Sequence, residues 1–336
     1  MNRSVSILCW FGFIVLACNS CNSDLDLIDE SSYRPVVYCL LNPKDSVQYL
    51  RVSRSFVMHV NPEGQEISPD SLQLKADFYA YLESVNIDGS RHIYYFELTD
   101  ITRRDSGMFP QDGLVVFRTH CPVEGGKEYG LYVNFPSLPL LVAGTITAVN
   151  PVDILDPNPL PGREITFLED QGYTVRWTRS AKFAVYQPVI RFIYLEGDIL
   201  FQVRKQVEIL QPMVFGDTEI AIITSYLNGS GFIDDLVKNL TPPDSGQRRK
   251  IIGFDLLLNC GGPELAVIAR AGTNAVASFT GLDEYSNLDG AVGLFSSATY
   301  TGVYNNRFSD ITINYLAVSQ KSRHLGFLRT DEDFKP

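Results

Sequence analysis

The strictest pattern in this sequence is a two-residue alternation of apolar and other side chains between residues 72 and 82. Successive side chains of a β-strand point to opposite faces, so this segment predicts a half-buried strand. Its buried face would carry Leu72, Leu74, Ala76, Phe78, Ala80 and Leu82. A chain built around such segments is expected to fold into sheets.

Further short strands are predicted in the first half, separated by turns rich in Gly, Asn and Pro. Seventeen Tyr and twenty Phe, against four Met, also favour strands over helical bundles. We therefore expect an immunoglobulin-like β-sandwich over residues 33–143, closed by a core strand carrying Tyr129, Leu131 and Val133. The other strands are predicted at residues 35–41, 47–56, 91–98 and 114–119.

Residues 144–336 are predicted to form a second β-rich domain, in which Trp177 anchors the core. Four prolines between Pro151 and Pro161 exclude a helix there and indicate a stiff linker or an edge loop. Apolar residues at helical spacing over residues 218–240 predict a helical insert of two short helices, interrupted around residues 228–231. Strands are expected at residues 173–177, 189–195, 200–209, 251–258 and 265–271, and a strand or short helix at 311–318. The fold class is thus mainly β with a small α part.

The amino terminus indicates export. Arg3 precedes an apolar run from Val5 to Ala17, which as a helix would span about 20 Å, less than a hydrocarbon layer of roughly 30 Å. Residues 1–17 therefore predict a secretory signal peptide, with a transmembrane anchor as the alternative. The sequence Val15-Leu16-Ala17-Cys18 resembles a bacterial lipobox, so Cys18 is the expected lipidation site, with Cys21 as its rival.

An acidic segment follows the expected lipidation site. Four carboxylates (Asp24, Asp26, Asp29 and Glu30) and no basic residue lie between residues 19 and 32. With so little apolar surface, residues 18–32 predict a lipidated, flexible tether. Such a stretch resembles the surface-export signal of Bacteroidetes lipoproteins, and a plain solvated spacer is the alternative.

Cysteine spacing and net charge exclude several classes of partner. Once Cys9 leaves with the signal peptide and Cys18 takes the lipid, the four remaining cysteines form no CxxC motif and no cluster with histidine at zinc-like spacing. Cys39, Cys121 and Cys260 remain as buried free thiols or, for Cys39 and Cys121, as a bridged pair. The net charge of −11 argues against a nucleic-acid partner.

No stretch of the sequence carries a recognisable catalytic or cofactor motif. The histidines at 59, 92, 120 and 324 are not spaced as metal ligands, and two acidic groups lack the frame of a calcium loop. Those groups are Asp153, Asp156 and Asn158, and Asp283, Glu284 and Asp289. We therefore expect no catalytic residue, no metal and no cofactor, while a carboxylate pair for glycoside hydrolysis stays open.

Aromatic residues are the remaining indication of a binding surface. Tyr94, Tyr95 and Phe96 are consecutive, and Tyr300 and Tyr304 lie in a stretch rich in Gly and Asn. Packing in the core and exposure for sugars or protein partners are both open for these rings.

Three stretches of the chain resemble the DUF4249 family of Bacteroidetes lipoproteins: residues 36–43 (VVYCLLNP), the turn around Cys260 to Leu265, and residues 285–297 (YSNLDGAVGLFSS). The resemblance extends in order over nearly the whole mature chain. It implies an outer-membrane lipoprotein of a kind often encoded near TonB-dependent receptors, and it carries no catalytic residues. In residues 285–297 a structural turn and a ligand-binding loop are both open, with Gly293 allowing a close backbone approach.

The functional expectation is therefore a non-enzymatic surface lipoprotein of the outer membrane. It would be held by lipid at Cys18 and would assist a TonB-dependent transporter in the uptake of a glycan or another nutrient. The alternatives are a surface adhesin or structural lipoprotein, and a carbohydrate-active hydrolase.

Overall fold

Most of the described chain folds into β-strands in the computed structural model, which describes residues 34–54, 77–86, 88–99, 115–137, 140–158, 163–182, 184–216, 220–273 and 285–334. The strands are β1 (Pro35–Leu41), β2 (Val47–Arg54), β3 (Tyr79–Val85), β4 (Arg91–Tyr95), β5 (Glu97–Thr99), β6 (Val116–His120), β7 (Glu128–Phe135), β8 (Leu140–Thr147), β9 (Ile154–Asp156), β10 (Glu164–Ile165), β11 (Tyr173–Thr178), β12 (Val185–Gly197), β13 (Gln202–Leu210), β14 (Val214–Phe215), β15 (Ile222–Leu227), β16 (Arg248–Gly261) and β17 (Val292–Phe308). The helices are α1 (Gly229–Asn239), α2 (Pro263–Thr273) and α3 (Asp310–Val318), followed by a 3-10 turn at Arg323–Leu325. The predicted fold class, mainly β with a small α part, is confirmed.

The strands form three sheets. A large sheet has the order β13-β12-β16-β17-β1-β2-β6-β5, with β10 paired to β17 and β14 paired to β12. A four-stranded sheet has the order β4-β3-β7-β8, and a three-stranded sheet has the order β15-β11-β9. The large sheet therefore contains strands from both ends of the chain.

Strand β17 joins the two parts of the large sheet. Its first residues pair in parallel with β1, from Val36 opposite Val292 to Leu41 opposite Ser297. Its later residues pair antiparallel with β16, from Gly261 opposite Ala298 onward. The first part of β17 thus lies beside the amino-terminal strand β1, and its later part lies beside β16.

The first core lies between the four-stranded sheet and the β17-β1-β2-β6 part of the large sheet. Val37 and Leu50 bury their side chains from one sheet, and Leu82 and Leu131 do so from the other. Phe295 of β17 is fully buried in the same cluster. These two facing sheets form the β-sandwich expected in the first half, although part of its core comes from the other end of the chain.

The second core lies on one face of β12, β16 and β17 and is rich in phenylalanine. Five rings form its centre, with centroid separations between 4.6 and 6.4 Å: Phe167, Phe192, Phe232, Phe254 and Phe308. Helix α1 contributes Phe232 to this cluster. Trp177 is buried there, with its ring centroid 5.6 Å from that of Tyr186, as its proposed role as an anchor requires.

Several local predictions agree with the structure. The strands at residues 35–41 and 128–135 have the expected bounds, and Tyr129, Leu131 and Val133 are buried. Ala80 and Leu82 are buried on the expected face, whereas residues 72–76 lie outside the described residues.

The boundary expected between residues 143 and 144 falls inside β8. Residues 285–297 also belong structurally to the first half, because Leu288, Ala291 and Phe295 pack in the first core. Gly293 makes the predicted close approach, since a Cβ placed on it would lie 1.9 Å from the carbonyl oxygen of Val37. This contact supports the reading of the stretch as a structural element.

The expectation of two short helices over residues 218–240 is wrong in its first part. Residues 222–227 form β15, which pairs with β11, and only residues 229–239 are helical. Ile223 and Leu227 are four residues apart, a spacing that places side chains on one face of either a helix or a strand. The Asn228 side chain accepts a hydrogen bond from the Gly231 amide at 3.0 Å and marks the start of α1.

The strand expected at residues 265–271 is also wrong, because this segment is helix α2. Pro263 occupies the first turn, where its missing N–H costs no hydrogen bond, and Glu264 places a carboxylate near the positive end of the helix dipole. The segment expected as a strand or a short helix at residues 311–318 is helix α3.

Cys39, Cys121 and Cys260 are buried free thiols, so of the two alternatives for Cys39 and Cys121 the structure shows the unbridged one. Burial raises the pKa of Cys39, and the nearby Cys121 raises it further. Within the described part of the chain, every helix is too short or too polar to cross a bilayer.

Candidate ligand pocket

An apolar pocket of about 620 Å³ lies on the outward face of the large sheet, opposite the second core. Its floor is formed by β1, β12, β16 and β17, and helix α2 forms one wall. Its apolar lining includes Leu40, Val185, Met213, Leu265, Ile268, Ala269 and Ala298. A mostly apolar concavity of this size is typical of small-molecule sites.

Helix α2 is held against the sheet by close contacts at its amino end. A Cβ on Gly261 would lie 2.9 Å from the Leu265 side chain, so the missing side chain lets the helix approach β16. The buried Ser296 hydroxyl donates to Glu264 Oε2 at 2.8 Å, and the Gly262 amide donates to the Ser297 carbonyl at 2.8 Å. Leu265 and, one turn later, Ile268 and Ala269 therefore face the pocket.

A row of three polar side chains crosses the pocket floor. The strand registers place Gln187 opposite Asn259, and Asn259 opposite Tyr300. Gln187 Nε2 donates to the Gln211 carbonyl, which leaves its own Oε1 as an acceptor. Two amides and a phenol at defined positions can orient a ligand whose main contact is apolar.

The turn between β1 and β2 forms the rim. Gln48 is buried and holds this turn, accepting from the Asn42 amide at 2.8 Å and donating to the Asp45 carbonyl at 2.6 Å. The Lys44 ammonium lies 4.7 Å from the centroid of the Tyr300 ring, a cation–π distance. The rim is thus a fixed turn that carries one cation and, in Asp45, one carboxylate.

The side chains that line the pocket are suited to binding a ligand. Cys260 contributes to the pocket wall, but burial raises its pKa to about 11, so it stays a neutral thiol at physiological pH. Asp45 is the one carboxylate among the described lining residues, whereas glycoside hydrolysis by the usual route needs two. This pocket therefore provides no carboxylate pair for the hydrolase alternative.

Of the aromatic residues singled out from the sequence, Tyr300 lies in the pocket. Tyr95, Tyr300 and Tyr304 are about half exposed or more, whereas Tyr94 and Phe96 pack against the first core. Sequence reasoning missed α2 as a wall, although Pro263 and Glu264 at the start of the segment were a signal for it. It also missed Gln187 and Asn259, which only the register of β12 and β16 brings together.

The other candidates from the sequence that the structure describes do not come together as a metal site. Asp156 accepts a hydrogen bond from the Tyr173 hydroxyl at 2.6 Å and pairs with Arg163 at 2.9 Å, so its charge is already compensated. Among the described residues, no three potential ligands gather where a metal ion could be held. His92, His120 and His324 are exposed. Cys18, Cys21, His59, Asp283 and Glu284 lie outside the described residues.

A second concavity, of about 810 Å³ and more polar, lies at one end of the sandwich. Asp88, Glu124 and Glu128 line it together with Lys127. Lys127 Nζ donates to Asn86 Oδ1 at 2.7 Å and lies 3.5 Å from Glu124 Oε1. Its lining is mostly polar and charged, so the apolar pocket is the better candidate for a largely apolar ligand.

Comparison with known proteins adds little to this geometry. No family model and no curated protein matches the sequence. Among solved structures, the chain is similar to the crystal structure of CBD12 from CALX1.2, with 10% identity and a TM-score of 0.16 over 80% of this chain and 99% of that one. At this TM-score the likeness carries no argument about function.

Proposed function

We propose that this chain is a lipid-anchored surface protein of the outer membrane that binds a small, largely apolar nutrient and assists a TonB-dependent transporter. The observation that carries the binding role is the apolar pocket beside α2, with its row of Gln187, Asn259 and Tyr300. The resemblance of three stretches to the DUF4249 lipoproteins and the lipobox-like sequence at Cys18 support the location and the partner.

The binding role is tested by filling the pocket. Ala269→Trp places an indole in the space lined by α2, and Val267→Trp makes the same change on the exposed side of the same helix. Native mass spectrometry of protein purified from its own cells should show a bound small molecule with the wild type and with Val267→Trp. The adduct should be lost with Ala269→Trp. Equal adducts in all three proteins, or none in any, would contradict the proposal.

The anchor and the transporter are tested separately. Mass spectrometry of the mature amino terminus should show an acylated Cys18, and an uncut leader or an unmodified cysteine would remove the anchor. Pull-down from detergent-solubilised outer membrane should recover a TonB-dependent transporter with the wild-type protein. Recovery of the lipoprotein alone would count against the role in uptake.

An adhesive role is the second candidate, because tyrosines cluster on the outward face of the four-stranded sheet. The Tyr81 ring stacks on Tyr132 at 5.0 Å and lies 5.8 Å from the exposed Tyr95. The neighbouring Tyr79 hydroxyl accepts a hydrogen bond from Asn134 at 2.8 Å. Exposed tyrosines are enriched at protein interfaces. Loss of cell adhesion with Tyr95→Ser, without any loss of nutrient uptake, would favour this function.

A further inference from the structure

The hairpin between β12 and β13 ends in three consecutive apolar residues that face solvent. Leu200 is 90% exposed, Phe201 69% and Ile199 49%, and Leu200 is the most exposed large apolar side chain among the described residues. A run of three exposed apolar residues is a liability for a soluble protein unless it serves an interaction. We call residues 199–201 the hairpin tip.

The conformation of the turn does not depend on these side chains. Asp198 Oδ1 accepts hydrogen bonds from the Leu200 amide at 2.8 Å and the Phe201 amide at 2.9 Å, and the Asp198 amide donates to the Phe201 carbonyl at 3.0 Å. A Cβ on Gly197 would lie 2.0 Å from the Phe201 carbonyl oxygen, so this position requires glycine. Asp198 and Gly197 shape the turn, and the apolar side chains are presented on a fixed support.

Most charges near the hairpin tip are paired, and the Asp198 carboxylate and the exposed Arg204 guanidinium add one charge of each sign. Lys205 pairs with Glu196, Arg248 lies 3.7 Å from Glu332, and Lys250 lies 3.1 Å from Asp333. With most of its local charge neutralised, this end of the molecule has little electrostatic preference for an anionic or a cationic partner. What it offers is a small apolar projection.

We propose that the hairpin tip inserts into the interfacial region of the bilayer that carries the lipid anchor. This inference rests on the anchor in the proposed function, which keeps a membrane within constant reach of the tip. Apolar side chains on a projecting element partition into the boundary between headgroups and acyl chains. Since the nearby charges are mostly paired, insertion should not depend on anionic lipid.

The segment from Cys18 to Arg34 is long enough for the lipid anchor and the hairpin tip to contact the same bilayer. Pro35 lies beside the start of β17, whereas Gly197 pairs with Arg248, beyond the other end of that strand. The seventeen residues from Cys18 to Arg34 can span at most about 60 Å. Anchor and tip can therefore touch one bilayer when the long axis of the large sheet lies along it.

The experiment uses the acylated protein reconstituted in vesicles. In a Cys21→Ser background, Leu200→Cys is labelled with an environment-sensitive fluorophore, and Cys39, Cys121 and Cys260 are protected by burial. Tyr95→Cys, at a 61% exposed position of the four-stranded sheet, is the matched control. Vesicles of phosphatidylcholine are compared with vesicles containing one quarter phosphatidylglycerol.

The label at residue 200 should shift to the blue and be quenched several-fold more by acyl-chain-brominated lipid than the label at residue 95. The effect should be equal in both vesicle types. An unshifted label at residue 200 on protein that co-floats with vesicles would overturn the tip insertion while leaving the anchor intact. A shift that appears only when purified outer membrane replaces pure lipid would overturn it in favour of an apolar socket on a protein. Protein that does not co-float would overturn both anchor and insertion.

Discussion

The two cores of this protein differ in how they are assembled along the sequence. The second core is made from residues 152–327, and its centre is a cluster of phenylalanine rings. The first core combines residues 37–148 with Leu288, Ala291 and Phe295, which follow more than 130 residues later. The first core therefore needs a segment that is synthesised near the end of the chain.

This difference makes β17 the element on which both cores depend. Its Phe295 is buried in the first core and its Phe308 in the second. A single strand that is paired at both ends transmits loss of order from one core to the other, so we expect the two to unfold together. The predictions below test this dependence in order of decreasing effect.

The largest effect is expected at Gly293, where β17 meets β1. Gly293 has a φ of +136°, and a Cβ there would lie 1.9 Å from the Val37 carbonyl oxygen. Gly293→Ala should therefore lower the free energy of unfolding by about 4–5 kcal/mol, the range of severe backbone and packing defects. Urea denaturation followed by circular dichroism measures the loss.

Gly89→Ala is the control for Gly293→Ala. Gly89 also has a positive φ, of +82°, but nothing lies within 4 Å of a Cβ placed on it. It should cost about 1–2 kcal/mol from the backbone conformation alone. Equal losses at the two positions would mean that the approach to Val37 is not a constraint.

Coupling between the cores is tested with Phe295→Ala. Removing this fully buried ring should cost about 3–5 kcal/mol. Trp177 lies in the second core, so its fluorescence reports on the core that the substitution does not touch. Both the fluorescence and the circular dichroism midpoints should move to lower urea by the same amount, as with Phe308→Ala. An unchanged Trp177 transition in Phe295→Ala would show that the cores unfold independently.

A charged contact at the edge of the second core gives a pH-dependent prediction. Glu196 accepts from Arg249 Nε at 2.7 Å, and the buried Arg249 also donates to the Leu325 carbonyl at 3.1 Å. Burial acts to raise the pKa of Glu196, but hydrogen bonds from Lys205 and Arg249 outweigh it and hold the pKa below its ordinary value. The stabilisation is therefore complete above the pKa of the unfolded state and is lost as pH falls through the lower, folded-state pKa.

Glu196→Gln should cost about 3 kcal/mol at neutral pH, because it leaves the Arg249 charge buried without its partner. It should also flatten the fall in stability that begins near the ordinary pKa of glutamate, about 4.3, where the unfolded state starts to take up the proton, and that continues down to the lower, folded-state pKa. Urea midpoints measured from pH 3 to pH 8 check both effects. Glu208→Gln, at a half-exposed partner of Arg191, should leave the curve within about 0.5 kcal/mol of the wild type.

The sequence predicted an element correctly where its apolar residues follow a single period, that of a strand or that of a helix. It did not predict which strands pair when they are far apart in the chain. A short apolar run located β1, the alternating Tyr129, Leu131 and Val133 located β7, and strict alternation located the buried face of β3. The spacing of Ile223 and Leu227 fits a helix and a strand equally, so β15 was predicted as a helix. The apolar run from Leu265 to Ala271 follows neither period clearly, and α2 was predicted as a strand. The pairing of Val36 with Val292 depends on contacts 256 residues apart, which no local pattern encodes.

The same limit applies to the pocket. Tyr300 was identified as a candidate from its surroundings in the sequence, but its partners Gln187 and Asn259 became visible only through strand register. The pocket wall formed by α2 was not predicted, because the sequence indicated a strand where this helix forms. A binding site assembled from side chains on separate strands therefore needs the topology before its members can be named.

The smallest effect is expected at the start of α1, which belongs to the second core alone among the described contacts. Asn228→Ala removes the acceptor for the Gly231 amide and should cost about 1 kcal/mol. Ser230→Ala, at a partly exposed position in the first turn of the helix, should cost a few tenths of a kcal/mol at most, because its hydroxyl only approaches Asp234 at 3.4 Å. Hydrogen exchange should show faster opening of the first turn of α1 in Asn228→Ala, with little change at the β7 amides of the first core. Equal acceleration of exchange at α1 and β7 would mean that loss of the Asn228 cap destabilises the first core as well, through β17. The second core would then not open locally without the first.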